Sequence, residues 1–264
     1  MDAAPLRRDR LAASVARRGF ARVTDLAREL GVSEVTVRTD LATLEADGRV
    51  TRVHGGAMPR GLVAERESSL EQSRTRLTRA KEAIALETAS RVRSGESLLL
   101  DVGSTALAVA NALVARTDLD EVVIVTNGLA IALALESAIP RFTVVVTGGT
   151  LRSLQHSLVN PLATTLLDDV RVDLAILGAT GIEAAAGVTN VNLPEAEVKR
   201  RMVASASRRV LAADSSKVGQ VHLGRVASLD ELDELITDDA ATDAALAPLR
   251  TAGLRVTTVT PRRA

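Results

Sequence analysis

Gly31-Val32-Ser33-Glu34-Val35-Thr36-Val37-Arg38-Thr39-Asp40-Leu41 reads as the turn and second helix of a helix-turn-helix. Thr24 can cap a short preceding helix through Asp25, Leu26 and Leu30, and Gly31 supplies the tight turn. Ser33 stands where an N-cap belongs, with a hydroxyl able to accept a backbone N–H of the next turn. On a 3.6-residue wheel Val37, Leu41 and Leu44 share one face and pack inward. Val35, Thr36, Arg38 and Thr39 fall on the opposite or flanking side. Hydroxyls, a guanidinium and an exposed valine suit phosphates, base edges and a thymine methyl in a major groove, and they suit a merely solvated helix poorly.

Gly48 follows Asp47 as a helix C-cap, and Arg49-Val50-Thr51-Arg52-Val53-His54 then alternates polar with apolar. This is the strand pattern of a small wing, and it puts Arg49 and Arg52 beside a phosphate backbone. The groups expected to meet double-stranded operator DNA are therefore Ser33, Val35, Thr36, Arg38, Thr39, Arg49 and Arg52. A three-helix module that binds protein would need the cap and the core stripe but not the polar face and wing.

Charge supports this only through its placement. The chain has 264 residues, with 33 basic and 33 acidic side chains. Residues 1–57 hold 10 arginines against 8 acids, a surplus too small to argue nucleic-acid binding. Arg17, Arg18, Arg22, Arg38, Arg49 and Arg52 can nevertheless share one face. There is no cysteine, which excludes disulfides and thiolate-held metals and fits a reducing compartment. His54, His156 and His222 have no metal-ligand spacing. No metal and no cofactor is expected. Without a secretory apolar region or a run long enough to cross a bilayer, the expected location is the cytoplasm, with no membrane contact.

The chain divides after the wing. Residues 55–63 carry three glycines and a proline, which is linker chemistry. The expected organisation is a winged helix-turn-helix over 1–57, a linker over 58–76, and a second, larger domain over 77–264. In that domain Ser97–Asp101, Val122–Thr126, Thr143–Thr147, Leu174–Gly178 and Val210–Ala213 are short apolar runs suited to buried parallel strands. Alanine-rich helical patterns such as Ala106–Val114 and Leu129–Ser137 lie between them. The alternation predicts a doubly wound α/β domain, so the fold class is α/β.

Each expected strand ends in polar or glycine residues. Asp101-Val102-Gly103-Ser104-Thr105, Thr126-Asn127-Gly128 and Gly148-Gly149-Thr150-Leu151-Arg152 close the first three. Ligands of open α/β sheets bind outside the carboxyl ends of strands, where helix N-termini present free N–H groups. Gly103, Ser104 and Thr105 can cradle a phosphate, Arg152 can pair with it, and Asp101 or Asn127 can hold sugar hydroxyls. Any one of these loops, Gly148 and Gly149 included, also reads as an ordinary turn; three at one edge point to a small anion. There is no Walker A pattern and no G-x-G-x-x-G. Glu195 and Lys199 form an i,i+4 pair that reads as a solvated salt bridge. Lys199 becomes a ligand contact if its helix faces the cleft, and Lys217 in Asp214-Ser215-Ser216-Lys217 can meet an anion at the same edge.

These motifs, in this order, resemble the DeoR family of bacterial transcriptional regulators over nearly the whole length. They are Ser33-x-x-Thr36-Val37-Arg38-x-Asp40-Leu41, Arg52-Val53-His54-Gly55-Gly56-Ala57, Asp101-x-Gly103-Ser104-Thr105, Thr126-Asn127-Gly128 and Gly148-Gly149-x-x-Arg152. Gly178-Ala179-Thr180-Gly181-Ile182, Glu195-Ala196-Glu197-Val198-Lys199-Arg200 and Ala213-Asp214-Ser215-Ser216-Lys217 complete the set. The resemblance implies a repressor of a sugar or nucleoside catabolic operon, relieved by a phosphorylated sugar in a pocket formed by the three loops. It also implies a C-terminal fold similar to ribose-5-phosphate isomerase and CoA transferases. A homo-oligomer, dimer or tetramer, is expected because it would place two or more recognition helices on repeated half-sites. The competing reading is an isomerase fused to a DNA-binding domain. It would need an acidic pair after Gly178, where Thr180 and Gly181 stand, and Glu183 falls beyond the turn; no enzyme activity is expected. A purely architectural DNA-binding protein would have no use for the second domain's polar loops.

Overall fold

The computed structural model describes residues 4–18, 21–53, 56–59 and 67–261, apart from the side chains of 16–18, 51–53 and 58–59. His54 and the Arg17, Arg18 and Arg52 side chains lie outside the described residues. Contacts divide the chain into two units, Met1–Glu67 and Ser68–Ala264.

The first unit runs α1 (Ala4–Arg18), β1 (Ala21–Arg22), α2 (Val23–Leu30), α3 (Glu34–Ala46), β2 (Val50–Val53) and β3 (Gly56–Pro59). Gly31 closes α2 at φ 64, the left-handed conformation that a residue without Cβ adopts most cheaply. Ser33 Oγ accepts from Thr36 N at 3.1 Å and starts α3. The end of α3 is a Schellman cap: Arg49 N donates to Leu44 O at 2.8 Å and Gly48 N to Glu45 O at 2.9 Å. Thr24 is not the cap of α2. Arg22 is held extended by pairing with Gly56, so the helix begins one residue before Thr24. Leu11, Val15, Leu26, Val37, Leu41 and Leu44 form the core. An ion pair that spacing does not announce, Arg7 Nε to Asp40 Oδ2 at 2.6 Å, fastens α1 to the buried side of α3. The sheet order is β1-β3-β2, and the β2–β3 wing runs on to Pro59, past the expected boundary at 57.

The second unit begins with α4 (Leu70–Thr75) and α5 (Thr78–Ala89), then β4 (Ser97–Leu100), α6 (Ser104–Ala115), β5 (Val122–Thr126), α7 (Leu129–Leu135) and β6 (Phe142–Val146). Next come β7 (Thr150–Arg152), β8 (Ser157–Val159), α8 (Leu162–Asp169), β9 (Val172–Leu177), β10 (Gly181–Glu183) and β11 (Gly187–Asn190). It ends with α9 (Leu193–Ser205), β12 (Ala206–Ala212), β13 (Gly224–Ala227), β14 (Glu234–Asp238), α10 (Asp243–Thr251) and β15 (Arg255–Val259). Seven strands form a parallel sheet in the order β15-β14-β12-β9-β4-β5-β6. The chain moves outward from β4 to β6, then returns to the other side of β4 with β9, so the switch point lies between β4 and β9. Side chains alternate between two apolar layers: Leu98, Leu100, Leu174 and Ile176 face α5–α7, while Leu99, Ala175 and Leu177 face α8–α10.

All five expected strands are present, but Thr143–Thr147 is not a buried strand. It lies in β6 at the sheet edge, where Val145 and Val146 are exposed because no further strand covers them. β14 and β15 extend the other edge beyond what the sequence pattern suggested. Part of the expected linker over 58–76 is helix: Ser69 and Gln72 make a capping box and Leu70 is buried, so α4 belongs to the second unit. Among the described residues no helix is long and apolar enough to cross a membrane.

At the other end of the sheet, Arg91 donates to both carboxylate oxygens of buried Glu234, at 3.0 and 2.9 Å, and Thr257 adds a bond of 2.6 Å. Burial opposes ionisation of Glu234, but the bonds from Arg91 and Thr257 prevail and hold its carboxyl below the ordinary value. Stability from this group is therefore full above the ordinary carboxylate range and lost as the pH falls below that range, through the lowered value of Glu234. Glu234→Gln should cost about 2 kcal/mol in urea unfolding at neutral pH. The difference from wild type should close only as the pH falls below the ordinary carboxylate range.

Candidate functional site

On α3 the expected DNA-facing groups are displayed and already engaged with one another. Val35 is 68% exposed. Arg38 Nη2 lies 2.7 Å from Glu34 Oε2, Thr39 Oγ1 donates to Val35 O at 3.0 Å, and the Ser33 and Thr36 hydroxyls are 2.9 Å apart. These bonds hold the side chains close to the helix without burying them. Arg49, expected at a phosphate, lies 2.7 Å from Asp9 of α1, and Arg22 on β1 is exposed.

The second constellation lies at the carboxyl edge of the parallel sheet. Asp101 follows β4 and is 0% exposed; its Oδ2 accepts from Gly178 N, after β9, at 2.8 Å and from Lys199 of α9. Lys199 is 3% exposed and also donates to Gly178 O at 3.2 Å. The switch point is thus closed by a buried ion pair. Glu195, one turn earlier on α9, is 4% exposed rather than solvated, and it does not pair with Lys199. Its partners are Arg152, at the end of β7, and Ser157 Oγ at 2.6 Å. The i,i+4 spacing put both residues on one helix face, and that face turned inward, so each found a partner distant in sequence. Asn190 Nδ2 also reaches Glu195, at 3.4 Å.

Asn127, after β5, donates Nδ2 to Leu158 O at 3.1 Å and its own carbonyl accepts from Leu158 N at 2.7 Å. These bonds dock the β7–β8 hairpin over the end of β5. Gly148 (φ 72) and Gly149 (φ 122) lead into that hairpin, and a Cβ on Gly149 would sit 2.1 Å from Val159 O. Their requirement is therefore backbone approach, as in the turn reading. Gly103 (φ 110) stands at the start of α6 without a side-chain cap, and the Ser104 and Thr105 hydroxyls have no hydrogen-bond partner among the described residues. Lys217 is half-buried on the loop after β12.

Two features carry chemical information. Asp101 Oδ1 and Asn127 Oδ1 are buried acceptors with no donor. Lys81 of α5 is buried and lines the same groove as Ser104. Spacing could have found Lys81: with Ile84, Ala85 and Thr88 it lies on the inward stripe of α5, where a charge is unusual. Ser157 and Asn190 had no such signal. Among the described residues no group of acidic or histidine side chains could hold a metal.

Residues 77–239 match the DeoR C terminal sensor domain, and residues 7–59 the DeoR-like helix-turn-helix domain. The chain belongs to the DeoR family of transcriptional regulators. The HTH-type transcriptional regulator GolR of Listeria innocua is 32% identical over 89% of this chain and 90% of its own. A lactose phosphotransferase system repressor of Staphylococcus epidermidis is 27% identical over 88% and 91%. Among solved structures, ribose 5-phosphate isomerase A of Methanocaldococcus jannaschii is similar at a TM-score of 0.38, with 22% identity over 52% of each chain.

For this DeoR-family chain the Asp101–Lys199 pair sets a stability test. Lys199→Met leaves Asp101 buried and uncompensated and should cost about 3–5 kcal/mol in urea unfolding. Combining it with Asp101→Asn should recover a large part of that loss, whereas additive losses would mean that the two groups do not interact.

Proposed function

We propose that this regulator represses a sugar catabolic operon and that a phosphorylated sugar, bound where β4, β5, β9 and β12 end, sets its hold on DNA. The observation that carries the effector reading is the pair of donorless buried oxygens, Asp101 Oδ1 and Asn127 Oδ1. Each costs about 1–3 kcal/mol if left unmet, and both are acceptors that ligand hydroxyls would satisfy. The phosphate arm would lie at the α6 N-terminus, against the Ser104 and Thr105 hydroxyls and Lys217. Arg152 and Lys199, engaged by Glu195 and Asp101, would hold the walls and the charge balance rather than act as free cations. The name of the staphylococcal relative, a lactose phosphotransferase system repressor, supports the pathway class.

The regulator works without turnover in this reading. The buried carboxylates at the site are each met by a cation, Asp101 by Lys199 and Glu195 by Arg152, so neither is a free base. Glu183 accepts from Ala185 N and Ala186 N, both at 2.8 Å, within its own turn. Two or more copies would present α3 to repeated half-sites, and the ligand would shift them by its differential affinity, about 1–3 kcal/mol.

Arg38→Ala should weaken operator binding by about 1–3 kcal/mol. Its thermal stability should stay within about 0.5 kcal/mol, since the pair with Glu34 is an exposed i,i+4 contact. Arg49→Gln should flatten the salt dependence by roughly 0.9 in log–log slope without changing sequence preference. A mobility shift at the wild-type concentration for Arg38→Ala would remove α3 from the groove.

A phosphorylated pentose or hexose should bind and its free sugar should not. The chain has no Trp or Tyr, so calorimetry or an extrinsic dye must report. Ligand at about 100 times its Kd should add roughly 2.7 kcal/mol of stability. Ser104→Ala with Thr105→Ala should keep operator binding and lose the response. A panel that neither stabilises the protein nor alters DNA affinity would overturn the effector reading, and interconversion of a sugar would restore the isomerase.

A further inference from the structure

Lys81 is 6% exposed, and among the described residues it has no ion-pair partner. Its Nζ instead donates to two neutral acceptors, Ser73 O at 2.5 Å and Arg76 O at 2.6 Å. Burial pushes its pKa below the ordinary lysine value; the charge of Asp214 opposes this, and Lys217 and Arg76 add to it. The Asp214–Lys217 loop therefore lies within electrostatic reach of Lys81. Asp214 Oδ1 is already occupied by Ser216, whose backbone N–H donates at 3.1 Å and whose hydroxyl also donates. Lys81 and Ser104 line one groove of about 810 Å³ between α4, α5 and α6. A buried ammonium met only by carbonyls, in one groove with the uncapped start of α6 and within electrostatic reach of Lys217, is a site for an anion, although Glu71 and Glu82 also line the groove.

The two carbonyls close an elbow. Leu77, between α4 and α5, has φ 51 and ψ 38, a left-handed conformation that costs a residue with a side chain about 1–2 kcal/mol. α4 is otherwise held at its far end and on one side. Leu70 N donates to Leu154 O at 2.9 Å, Gln155 Nε2 donates to Ser68 O at 2.6 Å, and Glu71 lies 3.3 Å from His156. All three tethers come from the β7–β8 hairpin, the element that carries Arg152 into the candidate pocket. α4 is also the first described helix after the wing in the chain.

We propose that Lys81 is both a phosphate ligand and the latch of α4: it holds the Ser73 and Arg76 carbonyls in one state and turns to a ligand phosphoryl oxygen beside Ser104 and Lys217 in the other. This rests on the sugar-phosphate reading above. Both bonds have an ionised donor, but only phosphate adds an opposite full charge to the lysine, a Coulomb attraction the carbonyls lack, so the ligand has the differential affinity that a switch requires. With the latch turned, the strained elbow loses both lysine bonds and keeps the one from Thr78 Oγ1 to Arg74 O at 3.1 Å, and residues 68–76 join the connection to the DNA-binding unit.

Hydrogen exchange on the full-length protein tests this, following peptides over 68–78 in inorganic phosphate and in chloride at equal ionic strength. Phosphate should speed exchange in α4 about tenfold. Lys81→Met should exchange at that faster rate in chloride and be indifferent to phosphate, while peptides over 97–115 stay protected and report an intact fold. Lys217→Gln, which leaves the elbow closed, should keep α4 protected in chloride and blunt the phosphate effect. α4 protection in a folded Lys81→Met equal to wild type would overturn the latch. Phosphate that binds by calorimetry but leaves wild-type α4 unchanged or slower would overturn the switch and spare the pocket. No phosphate binding would overturn both.

Discussion

The buried pair of Asp101 and Lys199 is the constraint on which the second unit turns. It joins the end of β4 to α9, and both residues also bind Gly178 at the end of β9. In a doubly wound sheet the strands at the switch point diverge in connectivity, and the crevice between them is open by construction. Here that crevice is spanned by opposite charges in a low-dielectric setting, where a misplaced partner would leave a bare ion. The pair therefore fixes the rotation of α9, and with it the direction of Glu195 one turn earlier. Glu195 in turn gathers Arg152, Ser157 and Asn190, which come from three different strands.

The two candidate sites are built on opposite principles. The α3 face is assembled by one helix and its caps, and every group on it has a neighbour within four residues. It is preformed and exposed, and rotamer changes suffice to exchange Glu34 for another partner of Arg38. The sheet-edge constellation exists only through long-range contacts, with Asp101 and Lys199 98 residues apart. Such a site is rigid where charges are matched and incomplete where Asp101 Oδ1 and Asn127 Oδ1 lack donors. Rigidity around unmet acceptors is the arrangement expected of a receptor for a small polar ligand.

The β7–β8 hairpin connects these properties within the second unit. One of its strands carries Arg152 to Glu195, its body pairs with Asn127 and Gly128, and its turn holds α4 through Leu154, Gln155 and His156. Gly148 and Gly149 let it approach so closely, since a side chain at Gly149 would collide with the Val159 carbonyl. A loop that reads in sequence as a phosphate-binding turn thus has a backbone reason for its glycines and a structural role in positioning the helix that follows the linker.

Elements whose causes are local were legible from the residues alone. Gly31, Ser33 and Gly48 set the ends of α2 and α3 by φ angle and capping, and the apolar runs located five strands of the parallel sheet. The sequence also placed Asp101, Ser104, Asn127 and Lys217 at one sheet edge, because βα loops of a parallel sheet all emerge on the same side. Which charge pairs with which emerged from the packing of the fold. Arg7 with Asp40, Arg152 with Glu195 and Lys199 with Asp101 are charges whose spacing is consistent with a solvated surface. Whether a helix face meets water or a sheet edge depends on the rotation of the whole helix, which packing settles. The same holds for Lys81: periodicity puts it on the inward stripe of α5, but only the fold shows a buried ammonium held by the carbonyls of the preceding helix.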